Sequence, residues 1–301
     1  MPAWSGKTRG GVLGYKIFVF NIKYLGLPVT YFFLRFVILY FIVTSPKAVG
    51  LTYYYFRRII KQNIIKSLFA IYRNYIVFGQ TLVDKLTVLS GYNKRISFSF
   101  EGEEYLYKMT SEKTGGLLIS AHIGSFEIAG YLLKRIDNKV NILMYEAEHE
   151  QIKKYLSTIY KDMNTNIICI KEDMSHLFEI IKVFDNKEFL CLHGDRFVSD
   201  NKTVIKEFMG YPAKLPSGPF YLAAKFDIPV TYVFAMKEKK YHYHFYATAP
   251  KKYYLEKLNV KRREEQINLA MNDYIYAFET ILKKYPYQWF NYYRFWEKKE
   301  K

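Results

Sequence analysis

The chain has 301 residues, enough to bury a large core, and a formal net charge of +17 from 45 basic and 28 acidic residues. Its two cysteines, Cys169 and Cys191, each sit inside an apolar run, which excludes a disulfide framework and a cysteine zinc site. Aromatic residues make up 19% of the chain, and rings beside Lys and Arg suit a membrane interface. A basic balance of this size also fits an acidic protein, nucleic acid or a soluble basic enzyme, and composition does not choose between them.

Residues 1–83 hold 11 Lys or Arg and no Asp or Glu. Within them, residues 26–44 form an apolar stretch of about the length that crosses a bilayer, interrupted by Arg35. A central arginine costs about 2.5–3.5 kcal/mol on insertion scales, against about 0.3–0.6 gained per large apolar residue, so the sum favours membrane association. The stretch can span, lie in the interface or form a hairpin-like anchor at Pro28. It is too long and too late for a cleaved signal peptide. The soluble alternative is a core helix of a large domain. Residues 51–90 continue as basic amphipathic helices, with Tyr53, Phe56, Ile60, Ile64, Leu68 and Ile71 at helical spacing. Residues 1–90 thus read as a membrane-anchoring helical segment, and residues 91–301 as a separate α/β domain.

Beyond Gly91 the pattern alternates between strand and helix. Residues 96–100 read as an edge strand, and residues 116–120, 140–145, 166–170 and 189–193 as buried strands. Helices are expected over 126–135, through Tyr160, through Val183 and over 220–225. Asp173 and Ser175 are candidate caps. Residues 208–219, rich in Gly and Pro, read as a loop. A strand over 229–234 and an antiparallel strand over 241–249 follow, then one helix over 262–285. These lengths predict an α/β fold with a mainly parallel central sheet flanked by helices. His242 and His244 share a strand face without a nearby carboxylate or cysteine, and read as solvent-facing rather than metal-binding. No metal site, glycine-rich phosphate loop or redox cofactor is implied.

The stretch Ser120-Ala121-His122-Ile123-Gly124-Ser125-Phe126-Glu127 places a histidine where a strand gives way to a helix. Ligands of open α/β sheets bind at such strand ends. A neutral histidine can take a proton from a hydroxyl that attacks a carbonyl, and a carboxylate can hold its tautomer. Glu127 can serve if it lies in the first helical turn. His122 as a turn residue and Glu127 as a solvated helix residue is the plain alternative, and spacing alone leaves both open. No nucleophile elbow is present, so direct transfer fits better than a covalent intermediate. Asp195 and Arg196 stand at another strand end, on the same edge as His122 if the strands are parallel. Arg196 can bind phosphate or an oxyanion, and Asp195 can orient Arg196 or the acceptor. A surface ion pair is the alternative. His193, just before them, reads as facing the core. Ser217 and Gly218, ahead of a helix, can offer N–H groups to a phosphate or simply start the helix.

The run Ala121-His122-Ile123-Gly124-Ser125-Phe126-Glu127-Ile128-Ala129 resembles the signature of the bacterial lipid A biosynthesis acyltransferases, and more distantly that of the glycerolipid acyltransferases. The basic N-terminal segment, the Phe208-Met209-Gly210 loop leading to Gly218, and the ending Tyr285-Pro286-Tyr287-Gln288-Trp289-Phe290 through Arg294-Phe295 add to the resemblance, which covers nearly the whole chain. Two positions depart from the family pattern. Arg196 stands where Gln is frequent, and Tyr293 precedes Arg294 where His is common.

The resemblance implies an enzyme at the cytoplasmic face of the bacterial inner membrane. It would move an acyl chain from acyl carrier protein, or from acyl-CoA, to a hydroxyl of a lipid acceptor such as a lipid A precursor. His122 would be the general base and Glu127 its support. Asp195, Arg196, Ser217, Gly218 and Arg294 would contact substrate, without cofactor or metal. An O-acyltransferase of aminolipids or lysophospholipids would use the same chemistry, and an inactive lipid-binding surface protein would keep the fold alone. No recognisable module supports a nucleic-acid partner.

Overall fold

The computed structural model describes residues 12–89, 91, 95–145, 165–171, 173–197, 202–254 and 260–297; the side chains of some of these, Glu127 among them, lie outside the description. The helix expected through Tyr160 falls outside the described residues. The strands, in chain order, are β1 (Ser97–Glu101), β2 (Gly116–Ser120), β3 (Val140–Tyr145), β4 (Thr165–Ile170), β5 (Phe189–His193), β6 (Thr203–Phe208), β7 (Tyr211–Pro216), β8 (Val230–Lys239) and β9 (His242–Ala247). Seven of them form one sheet in the order β1-β9-β8-β2-β5-β3-β4. Every pairing in it is parallel except β8 with β9. The fold is therefore the mixed, mainly parallel α/β class expected from the alternating pattern.

β2 lies inside the sheet and is buried at all five positions, which explains its unbroken apolar run. Its alternate residues enter different cores. Leu117 and Ile119 join a large cluster with α7 (His176–Asp185), α8 (Gly218–Lys225) and α9 (Val260–Lys284). Leu118 packs instead with Leu106 and Met109 of α5 (Glu103–Ser111). Behind α6 (Phe126–Leu132) lie α1 (Val12–Tyr24), α2 (Gly26–Thr44) and α4 (Ile64–Leu89) in a further apolar cluster. α3 (Pro46–Tyr54) runs into a π-helical turn, Tyr55–Ile59, which returns to the large cluster.

The segment 208–219 is not a loop. β6 and β7 pair as an antiparallel hairpin. Its two-residue turn, Met209-Gly210, has positive φ at both positions, the type I′ geometry that matches strand twist. A carboxylate oxygen of Glu279 accepts the Met209 N–H at 2.6 Å, which helps hold a non-glycine residue in that conformation. β8 is also longer than expected, running to Lys239 as it pairs with β9.

Polar contacts tie the helices before residue 90 to the sheet and to the C-terminal segment. Asn74 of α4 donates from Nδ2 to the carbonyls of Tyr287 and Trp289, at 3.0 and 3.1 Å. Asp84, also on α4, is fully buried and accepts from Lys237 Nζ on β8, from the Tyr243 hydroxyl on β9 and from the Tyr31 hydroxyl on α2. α2 is long and apolar enough to cross a membrane by length and composition. Leu27, Tyr31, Leu34 and Ile38 are buried on one face, while Phe32, Phe33, Phe36, Leu39 and Tyr40 are exposed on the other.

Candidate active site

β2 and β5 are adjacent and parallel, with Ser120 opposite His193. The chain leaves each strand in the same direction, so His122 and Asp195, each two residues past its strand end, arrive side by side. Two features fix the turn after His122. Gly124 has φ +64°, and a Cβ there would lie 1.9 Å from the Ala235 carbonyl oxygen, so no other residue fits. Its N–H donates to Gln288 O at 2.9 Å, and the Ser125 N–H donates to Ala235 O at 2.8 Å. On the other strand the Gly194 N–H donates to Ser120 O at 2.9 Å, tying the two strand ends together.

Asp195 receives two hydrogen bonds from His122. Nδ1 lies 2.7 Å from Oδ1, and the backbone N–H donates to Oδ2 at 3.1 Å. The Asp195 side chain is 1% exposed and that of His122 is 15% exposed, so the ring edge of His122 can meet substrate while its partner cannot. Burial alone would raise the Asp195 pKa. The facing His122, its hydrogen bond and Arg196 outweigh that and hold the carboxyl well below the usual range. An ionised Asp195 selects the tautomer with the proton on Nδ1, which leaves the Nε2 lone pair free to accept one.

The C-terminal segment closes over this pair. The Phe290 N–H donates to His122 O at 3.1 Å, and the Tyr293 hydroxyl donates to Asp195 O at 2.8 Å. Arg196 donates from Nη2 to Phe290 O at 3.0 Å and lies over the Tyr293 ring. The Trp289 indole N–H points at Asp195 Oδ2 from 3.5 Å.

His122, Asp195 and Arg196 are thus brought together. Glu127 occupies the first turn of α6, where a carboxylate suits the helix dipole, and its side chain lies outside the described residues. The orienting contact at Nδ1, expected of Glu127, is made by Asp195. Ser217 donates from both its N–H and its hydroxyl to Lys202 O at 3.1 Å. Gly218 opens α8, an ordinary helix start with Pro219 behind it. Arg294 is exposed and lines a cavity beside the C-terminal segment. His193 is half-buried, and its ring packs against His122 and Phe126, with centroids 4.2 and 4.3 Å away. His242 is held by the Ser97 and Ser99 hydroxyls, and no metal-binding cluster occurs among the described residues.

No curated protein sequence matches the chain. Among solved structures, the 1-acyl-sn-glycerophosphate acyltransferase PlsC from Thermotoga maritima is similar at 12% identity and a TM-score of 0.38, over 83% of this chain and 97% of that one. The sequence model described as bacterial lipid A biosynthesis acyltransferase matches residues 60–298, a span holding the His122 turn, Asp195 and the C-terminal segment. The chain belongs to the bacterial lipid A biosynthesis acyltransferase family.

Proposed function

We propose that this acyltransferase takes a fatty acyl group from a thioester, of acyl carrier protein or coenzyme A, and places it on a hydroxyl of a lipid A precursor. The observation that carries the reading is the 2.7 Å contact between His122 Nδ1 and Asp195 Oδ1. With its proton fixed on Nδ1, His122 takes the acceptor hydroxyl proton at Nε2 as the oxygen attacks the thioester carbonyl. The tetrahedral adduct collapses, the carbon–sulfur bond breaks, and the imidazolium returns the proton to the leaving thiolate. Asp195 stabilises the transient imidazolium. Arg196 acts by holding Phe290, and so the segment over His122, in place.

The reaction belongs at the cytoplasmic face of the bacterial inner membrane. The outward apolar face of α2 is the surface for lipid, and the net charge of +17 suits both an anionic leaflet and an acidic carrier protein. The test is transfer of a labelled acyl chain from acyl carrier protein or coenzyme A to candidate lipids by the purified full chain. His122→Ala should lose transfer while keeping membrane binding. Undiminished transfer by that variant would overturn the mechanism.

A further inference from the structure

A cavity of about 660 Å³ lies between the turn that follows α3 and the C-terminal segment. Tyr54, Tyr55 and Arg58 line it from the first side, and Trp289, Tyr293 and Arg294 from the second. Its walls are therefore aromatic, with two guanidinium groups. The carboxylate among the lining residues, Glu297, lies 3.0 Å from Lys214 and is neutralised by it. Neither Arg58 nor Arg294 has an ion-pair partner among the described residues. Two arginines in a partly enclosed space whose one lining carboxylate is paired with Lys214 favour an anion, and their planar donor forks match phosphate oxygens.

The position of the cavity narrows the choice of anion. Its lining begins at Gly50 of α3, the helix that follows α2, and continues through the π-helical turn to Arg58. Its opposite wall touches the His122 partner directly, because the Tyr293 hydroxyl holds Asp195 O and the Trp289 indole points at Asp195 Oδ2.

We propose that the cavity binds the phosphate-bearing head group of the lipid acceptor through Arg58 and Arg294. The proposal rests on the acyl-transfer reading for the identity of the acceptor. Its test reads binding separately from turnover.

The full chain in nonionic detergent is titrated with 1-lauroyl lysophosphatidate and, in parallel, with uncharged 1-lauroylglycerol. The signal is tryptophan fluorescence, since Trp289 and Trp296 both line the cavity. The phosphate-bearing lipid should bind at least tenfold more tightly. Arg58→Gln and Arg294→Gln should each remove about tenfold of that preference, and the double variant should abolish it. Lys at either position should restore part of it. His122→Ala should bind as the unaltered chain does. In transfer assays the arginine variants should raise KM for the acceptor and leave kcat within a few-fold. Thermal melting checks that each variant is folded.

Equal binding of the two lipids, or unchanged preference in the folded double variant, overturns the proposal. Displacement of lysophosphatidate by coenzyme A would assign the cavity to the donor and overturn the acceptor assignment. Inorganic phosphate reproducing the signal at the same affinity would reduce it to a general anion site, with the same consequence. Loss of all transfer with the binding preference intact would count against the enzyme reading and leave the cavity assignment standing.

Discussion

Asp195 Oδ1 and His122 Nδ1 are 2.7 Å apart across 73 residues of sequence. The contact follows from strand register: Ser120 opposite His193 puts the next residues but one, His122 and Asp195, at the same height above the sheet. Asp195→Asn should therefore keep the fold and damage the chemistry. The amide cannot stabilise an imidazolium, and it can favour the wrong tautomer. Turnover should fall by about 10²–10⁴-fold with little change in the KM for either substrate. Steady-state kinetics on a variant with native melting behaviour checks this, and activity within threefold of the parent would remove Asp195 from the mechanism.

Gly124 should tolerate no side chain. The Cβ of Gly124→Ala would meet the Ala235 carbonyl at 1.9 Å, in a backbone region that L residues rarely adopt. Either the turn moves, taking His122 from Asp195, or the Gln288 and Ala235 hydrogen bonds break. Activity should be lost and the melting temperature lowered. A fully active Gly124→Ala protein would show that the turn is not held as described.

Acid sensitivity should be traceable to His193. Its burial first, then the neighbouring His122, hold its pKa well below the ordinary value; Arg196 pushes the same way and Asp195 opposes. The unfolded chain protonates this histidine near pH 6.5, at which the folded chain keeps it neutral. The unfolded state then holds more protons, so stability falls as pH drops below about 6.5, by at most about 1.4 kcal/mol per pH unit. Asp195 adds a loss of its own only below about pH 4, the ordinary carboxylate range. Denaturant midpoints at pH 7.5 and 5.5 should differ less for His193→Phe than for the parent chain. Equal differences would rule out His193 as the source.

The buried Asp84–Lys237 pair should fasten the N-terminal helices to the sheet. Its side chains are 0% and 4% exposed, so removing one charge strands the other. Asp84→Leu should cost about 3–5 kcal/mol, and the double change with Lys237→Met should recover much of that. Chemical denaturation in detergent measures both. A neutral Asp84→Leu would mean that the helices are held by apolar packing alone.

The central strands are legible in the amino-acid sequence. The largely apolar runs 116–120, 140–145 and 189–193 match β2, β3 and β5 in extent, and the run is most apolar where burial is complete, in β2. The placement of His122 before a helix, and of Asp195 past another strand, follows from those same boundaries. The hairpin over 203–216 is not legible in the same way. Met209 in a left-handed conformation carries no turn signal of its own and relies on Glu279, 70 residues away. The β6–β7 register then places Pro212 and Pro216 on β7, whose outer edge bridges the C-terminal segment at Ala213 and Trp296, with Pro212 O accepting the Glu297 N–H at 3.0 Å.

Sequence by itself determined the central strands, the strand-end histidine, the basic N-terminal helices and the family resemblance, because each depends on residues close together in the chain. Tertiary structure decided who partners whom. The sheet order set β5 beside β2, which gave His122 to Asp195 and set His193 against its ring. The packing of α2 on α4 decided which face of the apolar helix is covered and which is left exposed. Neither outcome can be read from a local pattern, because strand order and helix docking are settled by contacts far apart in sequence. The histidine at the end of β2 could be found from its own neighbours; the carboxylate that orients it could be found only once the sheet had closed.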